Sequence, residues 1–361
     1  MNNRLFIDFH VLQTVPPSCV NRDDTGSPKT AVYGGTTRAR VSSQAWKRAI
    51  RMMFLDMYSG TEISYRTKRI SELLEDEILK LKPDADAQKL VIEILKNVGI
   101  NYKEKDNITD SLVFVSRAQV YALAKLAVDG VKVDAKSKVN PYKEALMSEP
   151  SVDIVLFGRM LANDPSLNYD AAVQVAHSIS THTIHNEFDY FTAVDDRKPE
   201  DSNGAGHLGT VEFNSSTLYR YATVNVMELN NALKKDTPHT VRCFAEAFIR
   251  SMPTGKQNTF ANRTLPDLVY ITIRRDQPVN LAGAFECPVK ADGGGYVKAS
   301  VLQLIRYTQK LYSTFADKPS CSFVVGIEEG IDVLGNCLPL NELLEALETT
   351  VAEQLAECEV K

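Results

Sequence analysis

The sequence predicts a protein that mixes β-strands with α-helices, of the α+β or α/β class, because stretches with a hydrophobic period of two alternate with stretches of helical period. The 361 residues are 44% hydrophobic and 24% charged, as in folded globular proteins. This length favours one large domain or two modest domains. No run of about 18 apolar residues occurs, so we expect no membrane-spanning segment.

The first predicted strand covers residues 4–13, where Leu5, Ile7 and Phe9 share one face of an extended chain. Its mixed apolar and polar faces are typical of a central strand. Further strands are predicted over residues 152–160, 217–226, 267–274 and 322–327.

The first predicted helix begins at Ser42 or Ser43, either of which can cap it, and runs to Tyr58 with apolar residues three and four positions apart. Further helices are predicted over residues 169–180, 238–252, 296–315 and 340–357. Residues 65–149 are rich in Leu, Lys, Glu and Ala at helical spacing, which predicts a mostly helical insertion.

The sequence predicts two functional loops. Residues 16–35 are polar, charged and longer than an ordinary connector. Residues 201–209 are rich in glycine and predict a protruding hairpin or tongue. The tongue region carries aromatic side chains that either stack on nucleic-acid bases or fill the core of a β-hairpin. These are Phe191, His207, Phe213, Tyr219 and Tyr221.

Positive charge is concentrated near the N-terminus. The net charge is −5, yet residues 1–70 alone carry +6. Five basic residues and no acid lie within residues 36–51: Arg38, Arg40, Lys47, Arg48 and Arg51. Such a cluster suits a phosphate backbone, whereas the plainer interpretation is a solvated helix face.

Metal and nucleotide chemistry is less favoured by the sequence. His177, His182 and His185 lack the spacing of a zinc site, and the segment 253–259 lacks the Ser or Thr of a phosphate loop. Asp23 and Asp24 are either turn residues or candidates for metal binding and general-base catalysis. We expect no metal and no cofactor.

The six cysteines are scattered and predict reduced thiols. With no apolar signal segment at the N-terminus, the expected location is the cytoplasm, with no membrane partner.

Short motifs in a fixed order resemble those of the CasC family, the backbone subunit of the type I-E CRISPR Cascade complex and part of the RAMP superfamily. The motifs occupy residues 17–24, 33–35, 38–49, 158–160, 176–182, 191–196, 207–210, 219–222 and 256–257. They extend over nearly the whole chain, whereas the helical insertion and the tail from Leu340 match weakly.

The resemblance implies a hand-shaped protein with an RRM-like (ferredoxin-like) palm, a helical finger insertion and a β-hairpin thumb. The palm would comprise residues 1–60, 151–187 and 218–361, the last including C-terminal helices. The finger would cover residues 61–150 and the thumb residues 188–217.

The resemblance also implies which residues hold the guide RNA. These are Asn21, Arg22, Lys29, Ser42, Gln44, Lys47, Arg48, Arg51, Lys256 and Gln257. His207 on the thumb would also contact the RNA. Thr210 on the thumb, with Met160 of a neighbouring copy, would lie at a base displaced from the stack. Thr36 and Thr37 stand where a basic residue would suit this role, which shifts charge to Arg38 and Arg40.

The implied protein is not an enzyme. Copies of it would polymerise along a CRISPR RNA, together with other Cascade subunits, and present the guide to target DNA, which a recruited nuclease-helicase cuts downstream. One alternative is a metal-dependent, RNA-cleaving backbone subunit of a type III-like effector, with Asp23 or Asp24 in its site. A generic protein-assembly subunit that carries no nucleic acid is the other.

Overall fold

A computed structural model describes residues 4–58, 63–134, 139–161, 163–193, 207–291 and 293–359. The strands are β1 (Phe6–Ser18), β2 (Thr30–Tyr33), β3 (Thr36–Val41), β4 (Tyr65–Thr67), β5 (Tyr102–Lys103), β6 (Ile108–Thr109), β7 (Val113–Val115), β8 (Val173–Val175), β9 (Ser178–Ser180), β10 (Glu187–Ala193), β11 (His207–Asn225), β12 (Leu268–Arg274), β13 (Cys321–Gly326) and β14 (Asn336–Cys337).

The helices are α1 (Ser43–Met57), α2 (Ile70–Leu81), α3 (Ala87–Val98), α4 (Arg117–Val128), α5 (Pro141–Met147), α6 (Val152–Phe157), α7 (Val226–Leu233), α8 (Thr237–Arg250), α9 (Gln257–Phe260), α10 (Val297–Thr314) and α11 (Leu340–Glu359). Strands and helices are mixed as predicted. Within the described ranges, no helix is both long and apolar enough to cross a bilayer.

One large sheet organises the first of two compact units, which comprises residues 1–50, 175–227 and 241–361. Its central strands lie in the order β12, β1, β11, β9, and each is antiparallel to its neighbour. Helix α1 follows β1 along the chain, and α8 lies between β11 and β12. This βαββαβ arrangement is the ferredoxin-like, RRM-like palm, so the predicted fold class is confirmed.

The palm sheet is covered on both faces. On one face Phe9 of β1 meets Phe244 and Phe248 of α8, with ring centroids 5.4 and 6.1 Å away. The other face is packed against Val301 and Leu304 of α10. Both faces of β1 are therefore buried, including the polar side chains of Asp8, His10 and Gln13.

The second compact unit comprises residues 51–174 and 228–240. Its core is formed by apolar faces of α2, α3, α4 and α5. The capping hydroxyl of Ser116 accepts a hydrogen bond from the Gln119 N–H at 3.0 Å and fixes the start of α4. The predicted helical insertion lies within this unit, while the exact domain boundaries stay a prediction.

Two predicted elements are wrong. Residues 152–160, predicted as a strand, form the short helix α6, which ends at Gly158 with a φ of 76°. A short apolar run does not separate a strand from a buried helix. Residues 169–180, predicted as a helix, contain β8 and β9 instead, because Val173 and Val175 alternate with an exposed Gln174.

The predicted loop over residues 16–35 is also shorter than expected. Strand β1 continues to Ser18, and β2 pairs with β3 around a turn at Gly34 and Gly35. Gly34 has a φ of 57°, and a Cβ there would lie 1.7 Å from the Glu286 carbonyl oxygen, so only glycine fits.

Strand β10 pairs with β11 along the full length of β10, from Glu187 with Phe213 to Ala193 with His207. These strands are the arms of the predicted thumb hairpin. Residues 201–206 of the predicted glycine-rich tongue lie outside the described residues. Tyr219 and Tyr221 lie in the core, in agreement with the plainer of their two interpretations.

A buried polar layer lies beneath α10. The Nδ1 atom of His10 is 2.8 Å from the Tyr219 hydroxyl, and Tyr221 donates a 2.9 Å hydrogen bond to Asp8. Burial lowers the pKa of His10 to about 3. Burial raises the pKa of Asp8 to about 6, although the N–H of Val279 and other hydrogen bonds favour its charged form.

We expect the variant His10→Gln to resist acid better, relative to the wild type, as the pH falls. An unfolded histidine binds a proton near its ordinary pKa of 6.5, whereas folded His10 does not. The wild type therefore loses stability from about pH 6.5 downward. Between about pH 7.5 and pH 5, the free energy of unfolding of the variant minus that of the wild type should rise by about 2 kcal/mol.

Urea denaturation at the two pH values measures this difference. Asp8 acts in the opposite direction, since its raised pKa makes stability fall as the pH rises from 3.8 to about 6. Its contribution is present in both proteins and cancels in the comparison. A difference that stays constant with pH would show that His10 is protonated in the folded protein.

Candidate nucleic-acid interface

The loop from Cys19 to Lys29 organises the predicted interface. The Ser42 N–H donates to the Asn21 side-chain oxygen at 2.9 Å, and the Lys29 N–H donates to the Asn21 carbonyl at 2.9 Å. The Arg40 N–H in turn donates to the Lys29 carbonyl at 2.9 Å. These bonds bring Asn21, Lys29, Arg40 and Ser42 together, although they lie up to 21 positions apart.

The start of α1 lies against this loop. The Ser42 hydroxyl accepts a hydrogen bond from the Ala45 N–H at 3.4 Å, so the predicted cap is present. The first turn carries no acidic residue. The N-terminus of α1 therefore adds positive partial charge to the loop. Gln44 and Arg48 are exposed on this helix, and Lys47 is half-buried.

The turn from Pro253 to Gln257 packs on the same loop. A Cβ at Gly255 would lie 2.1 Å from the Val20 carbonyl oxygen, so glycine is needed for this close approach. Burial raises the pKa of the Cys19 thiol, while Arg22 and Lys256 oppose that shift with their positive charge. Lys256 and Arg22 thus share the surroundings of Cys19. Gln257 lines an open surface cleft beside Lys256.

Arg40 reaches the rim of the loop. Its Nε donates to the Thr30 carbonyl at 2.9 Å, and its Nη1 is 3.1 Å from His177 Nδ1. Burial, Arg40 and Lys29 together lower the pKa of His177. The lowered pKa favours the neutral imidazole, and Arg40 and Lys29 supply the positive charge at this rim.

Arg38 corrects the prediction, because it does not belong to the cationic surface. It is fully buried, and its guanidinium donates to the carbonyl oxygens of Ser180 at 2.8 Å, Phe285 at 2.9 Å and Glu286 at 3.2 Å. Its Nε donates to the Thr36 hydroxyl. Arg38 fastens the 285–286 segment to β3 and has no face left for a phosphate.

Arg51 is a second correction. Its Nε lies 2.9 Å from Oδ2 of Asp153, and the Asp153 side chain is fully buried. Arg51 also lies 4.5 Å from the centroid of the Phe114 ring and donates to the Ser64 carbonyl. For the other three members of the predicted cluster, Arg40, Lys47 and Arg48, RNA binding stays a prediction.

Met160, Thr210 and His207, the remaining predicted RNA contacts, have different surroundings. Met160 belongs to the second unit and is 79% exposed. Thr210 is exposed on β11 opposite Tyr190 of β10. His207 begins β11, and its side chain lies outside the described atoms. Their relation to one another between copies stays a prediction.

The other polar candidates have local partners. Asp23 accepts hydrogen bonds from the N–H groups of Thr25 and Ser27, both at 3.0 Å, which is the turn interpretation. Hydrogen bonds, chiefly from the Thr25 hydroxyl, lower its pKa. His182 accepts from the Thr217 N–H and stacks on Tyr296. Among the described residues, no three His, Cys, Asp or Glu side chains are placed to share a metal ion.

The sequence-based prediction missed Ser18, Asn214 and Ser216, which line a pocket beside Asn21 and Lys29. Residues 214, 216 and 218 recur at the period of a strand and share one face of β11. That alternation could have identified the face, but not the loop that closes over it.

A family model described as CT1975-like protein matches residues 7–347. A chain of a solved CRISPR RNA-guided surveillance complex in a pre-nicking state is 34% identical, with a TM-score of 0.82, and the match covers 96% of this chain and 100% of that one. A chain of another CRISPR RNA-guided surveillance complex is 30% identical, with a TM-score of 0.62, and covers 94% and 99%. No curated protein matches the chain.

We expect Arg51→Ala to destabilise the protein by about 3 kcal/mol, because the buried Asp153 carboxylate would lose its cationic partner. Arg48→Ala removes the same charge from an exposed position of the same helix and should cost less than about 0.5 kcal/mol. Urea denaturation of the two variants measures both values. Equal effects would contradict the structural role assigned to Arg51.

Proposed function

The chain belongs to the CT1975-like protein family, and we propose that it binds CRISPR RNA as the backbone subunit of a type I-E surveillance complex. The observation that carries this proposal is the convergence of cations on the Cys19–Lys29 loop. Arg22, Lys29, Arg40 and Lys256 meet there beside the N-terminus of α1. A guide strand is a polyanion, and this surface offers it positive charge in a chain of net charge −5.

The buried face of the palm sheet supports recognition of the sugar-phosphate backbone. Many RRM domains stack bases on aromatic residues of an open sheet face. Here the rings of His10, Tyr221 and Tyr270 stack on each other beneath α10, where no base can reach them. The remaining contacts address phosphates and sugars, which suits a guide whose sequence varies.

Polymerisation along the guide is the second part of the proposal. The hairpin of β10 and β11 exposes large apolar side chains: Phe188 at 66%, Tyr190 at 65% and Leu208 at 54%. Exposed apolar clusters of this kind are typical of interaction surfaces. We assign this surface to a neighbouring copy, with Thr210 of the hairpin and Met160 of that copy at the displaced base.

We further propose that the subunit is not catalytic. The Asp23 carboxylate is used by Thr25 and Ser27 to shape the loop. Target DNA would pair with the guide, other Cascade subunits would complete the complex, and a recruited nuclease-helicase would cut the target downstream.

The triple variant Arg22→Ala, Lys29→Ala, Lys256→Ala should weaken binding of single-stranded RNA to a similar extent for unrelated sequences. Each lost phosphate contact lowers the salt dependence, so the slope of log K against log salt should become less steep by about 2. Fluorescence anisotropy with labelled guides between about 0.05 and 0.5 M salt measures this slope.

The matched control is Lys298→Ala, Arg306→Ala, Lys310→Ala, which removes three exposed charges from α10. It should leave the slope unchanged. Equal slopes in both triple variants would place the guide elsewhere. Mg²⁺-dependent cleavage of a target RNA paired with the guide, lost in the variant Asp24→Ala, would instead support the type III-like nuclease.

The double variant Phe188→Ser, Tyr190→Ser should reduce the number of copies that assemble on a long guide, because the hairpin would lose its apolar contact surface. Native mass spectrometry of the protein with guide RNA counts the copies. Phe315→Ser is the control, since Phe315 is 86% exposed and lies beyond the end of α10. An unchanged copy number in the hairpin variant would contradict this role.

A further inference from the structure

A small cavity lies beneath the cationic loop, between the ends of β1 and β3 and the middle of β11. Its volume is about 20 Å³, which is room for one water-sized group. Val15, Val41 and Leu218 supply apolar walls. Such a cavity is too small for a nucleobase or a phosphate, so any ligand group that enters it is about the size of a hydroxyl.

The polar side of the cavity carries hydroxyl groups with unused hydrogen-bonding capacity. Ser18 is 3% exposed and Ser216 is 6% exposed, and neither hydroxyl has a hydrogen-bond partner within the described part of the chain. The Asn214 amide group donates to Asn186 at 3.1 Å, which leaves its oxygen free to accept. Hydroxyls that face a water-sized cavity and have no protein partner favour a polar occupant.

The cations at the rim of the cavity indicate which chemical group lies next to the hydroxyl of the ligand. Lys29 and Arg40 line the same cavity as Ser18 and Ser216. A hydroxyl-sized polar pocket next to two cations matches one chemical unit of RNA, in which the 2′-hydroxyl neighbours a phosphate. DNA presents the same phosphate without the hydroxyl.

We propose that this pocket receives a ribose 2′-hydroxyl of the bound strand and makes the subunit selective for RNA over DNA. The inference rests on the proposed function, since it assumes that the strand lies on the cationic loop. The 2′-hydroxyl exchanges hydrogen bonds with Ser18, Ser216 or the Asn214 oxygen. A deoxyribose leaves these groups unpaired, and a site built around a hydroxyl rejects the analogue that lacks it.

The test compares affinities for single-stranded RNA and DNA of the same sequence. The double variant Ser18→Ala, Ser216→Ala should weaken RNA binding about tenfold and leave DNA binding unchanged, so that the RNA-to-DNA preference falls about tenfold. Unchanged DNA affinity also shows that the variant is folded. Ser215→Ala is the matched control, because Ser215 is the exposed neighbour of Ser216 on β11, and it should keep the full preference.

The outcomes separate this proposal from the function on which it rests. An unchanged RNA-to-DNA ratio in the double variant would overturn the hydroxyl site and leave a pocket that holds water only. A parallel loss of RNA and DNA affinity would also overturn it. If wild-type protein binds neither strand, the proposed function fails first. A lowered ratio in the Ser215→Ala control would show that the effect is not specific to the cavity.

Discussion

The hydrogen bond from the Ser42 N–H to the Asn21 side chain is the contact on which the interface depends. It joins a loop that carries cations to the helix end that carries positive partial charge. The main-chain bonds of Lys29 extend the same connection to β3. Without these hydrogen bonds, Arg22 and Lys29 would be mobile surface charges. Each would then lose more conformational entropy when it binds a ligand.

The position of α1 depends in turn on a buried cation. Trp46 is 1% exposed and donates to the Ser178 hydroxyl at 2.9 Å, while the Arg220 guanidinium lies 3.8 Å from the centroid of its ring. Burial lowers the pKa of Arg220 to about 9. Arg220 donates to Gln13 and to the Phe248 carbonyl. This stack anchors the first turns of α1 on the sheet and so fixes the helix N-terminus beside the loop.

The fold and part of the interface could be predicted from the sequence, and the reasons differ by residue. The long helices α1, α8, α10 and α11 have clear periods and near-correct predicted ends. Ser42 was identified because a capping signal is local. Lys256 was predicted from the family resemblance, and the structure places it close to Cys19 of the loop. A capping signal predicts the structure well, because the residues that form the hydrogen bond are close together in the sequence.

Arg38 and Arg51 could not be placed from the sequence, because their partners are distant. The carbonyls of Phe285 and Glu286 are more than 240 positions from Arg38, and Asp153 is 102 positions from Arg51. The sequence shows that a residue is basic, but it does not show whether its side chain is buried. The aromatic residues of β11 could not be placed for the same reason. They form a core because α10, which is distant in the sequence, packs on them, and so they offer no platform for bases.

Covering the sheet changes what an RRM-like palm can recognise. An open aromatic face reads bases, and its affinity depends on sequence. With that face filled by α10, the groups to which we assign strand binding are the loop cations, the α1 N-terminus and the hydroxyl-lined cavity, and these suit the backbone of a strand. A surface of this kind can distinguish ribose from deoxyribose and still ignore base sequence, because the 2′-hydroxyl is present in every nucleotide. Selectivity for the polymer is thereby separated from selectivity for its sequence, which is left to base pairing.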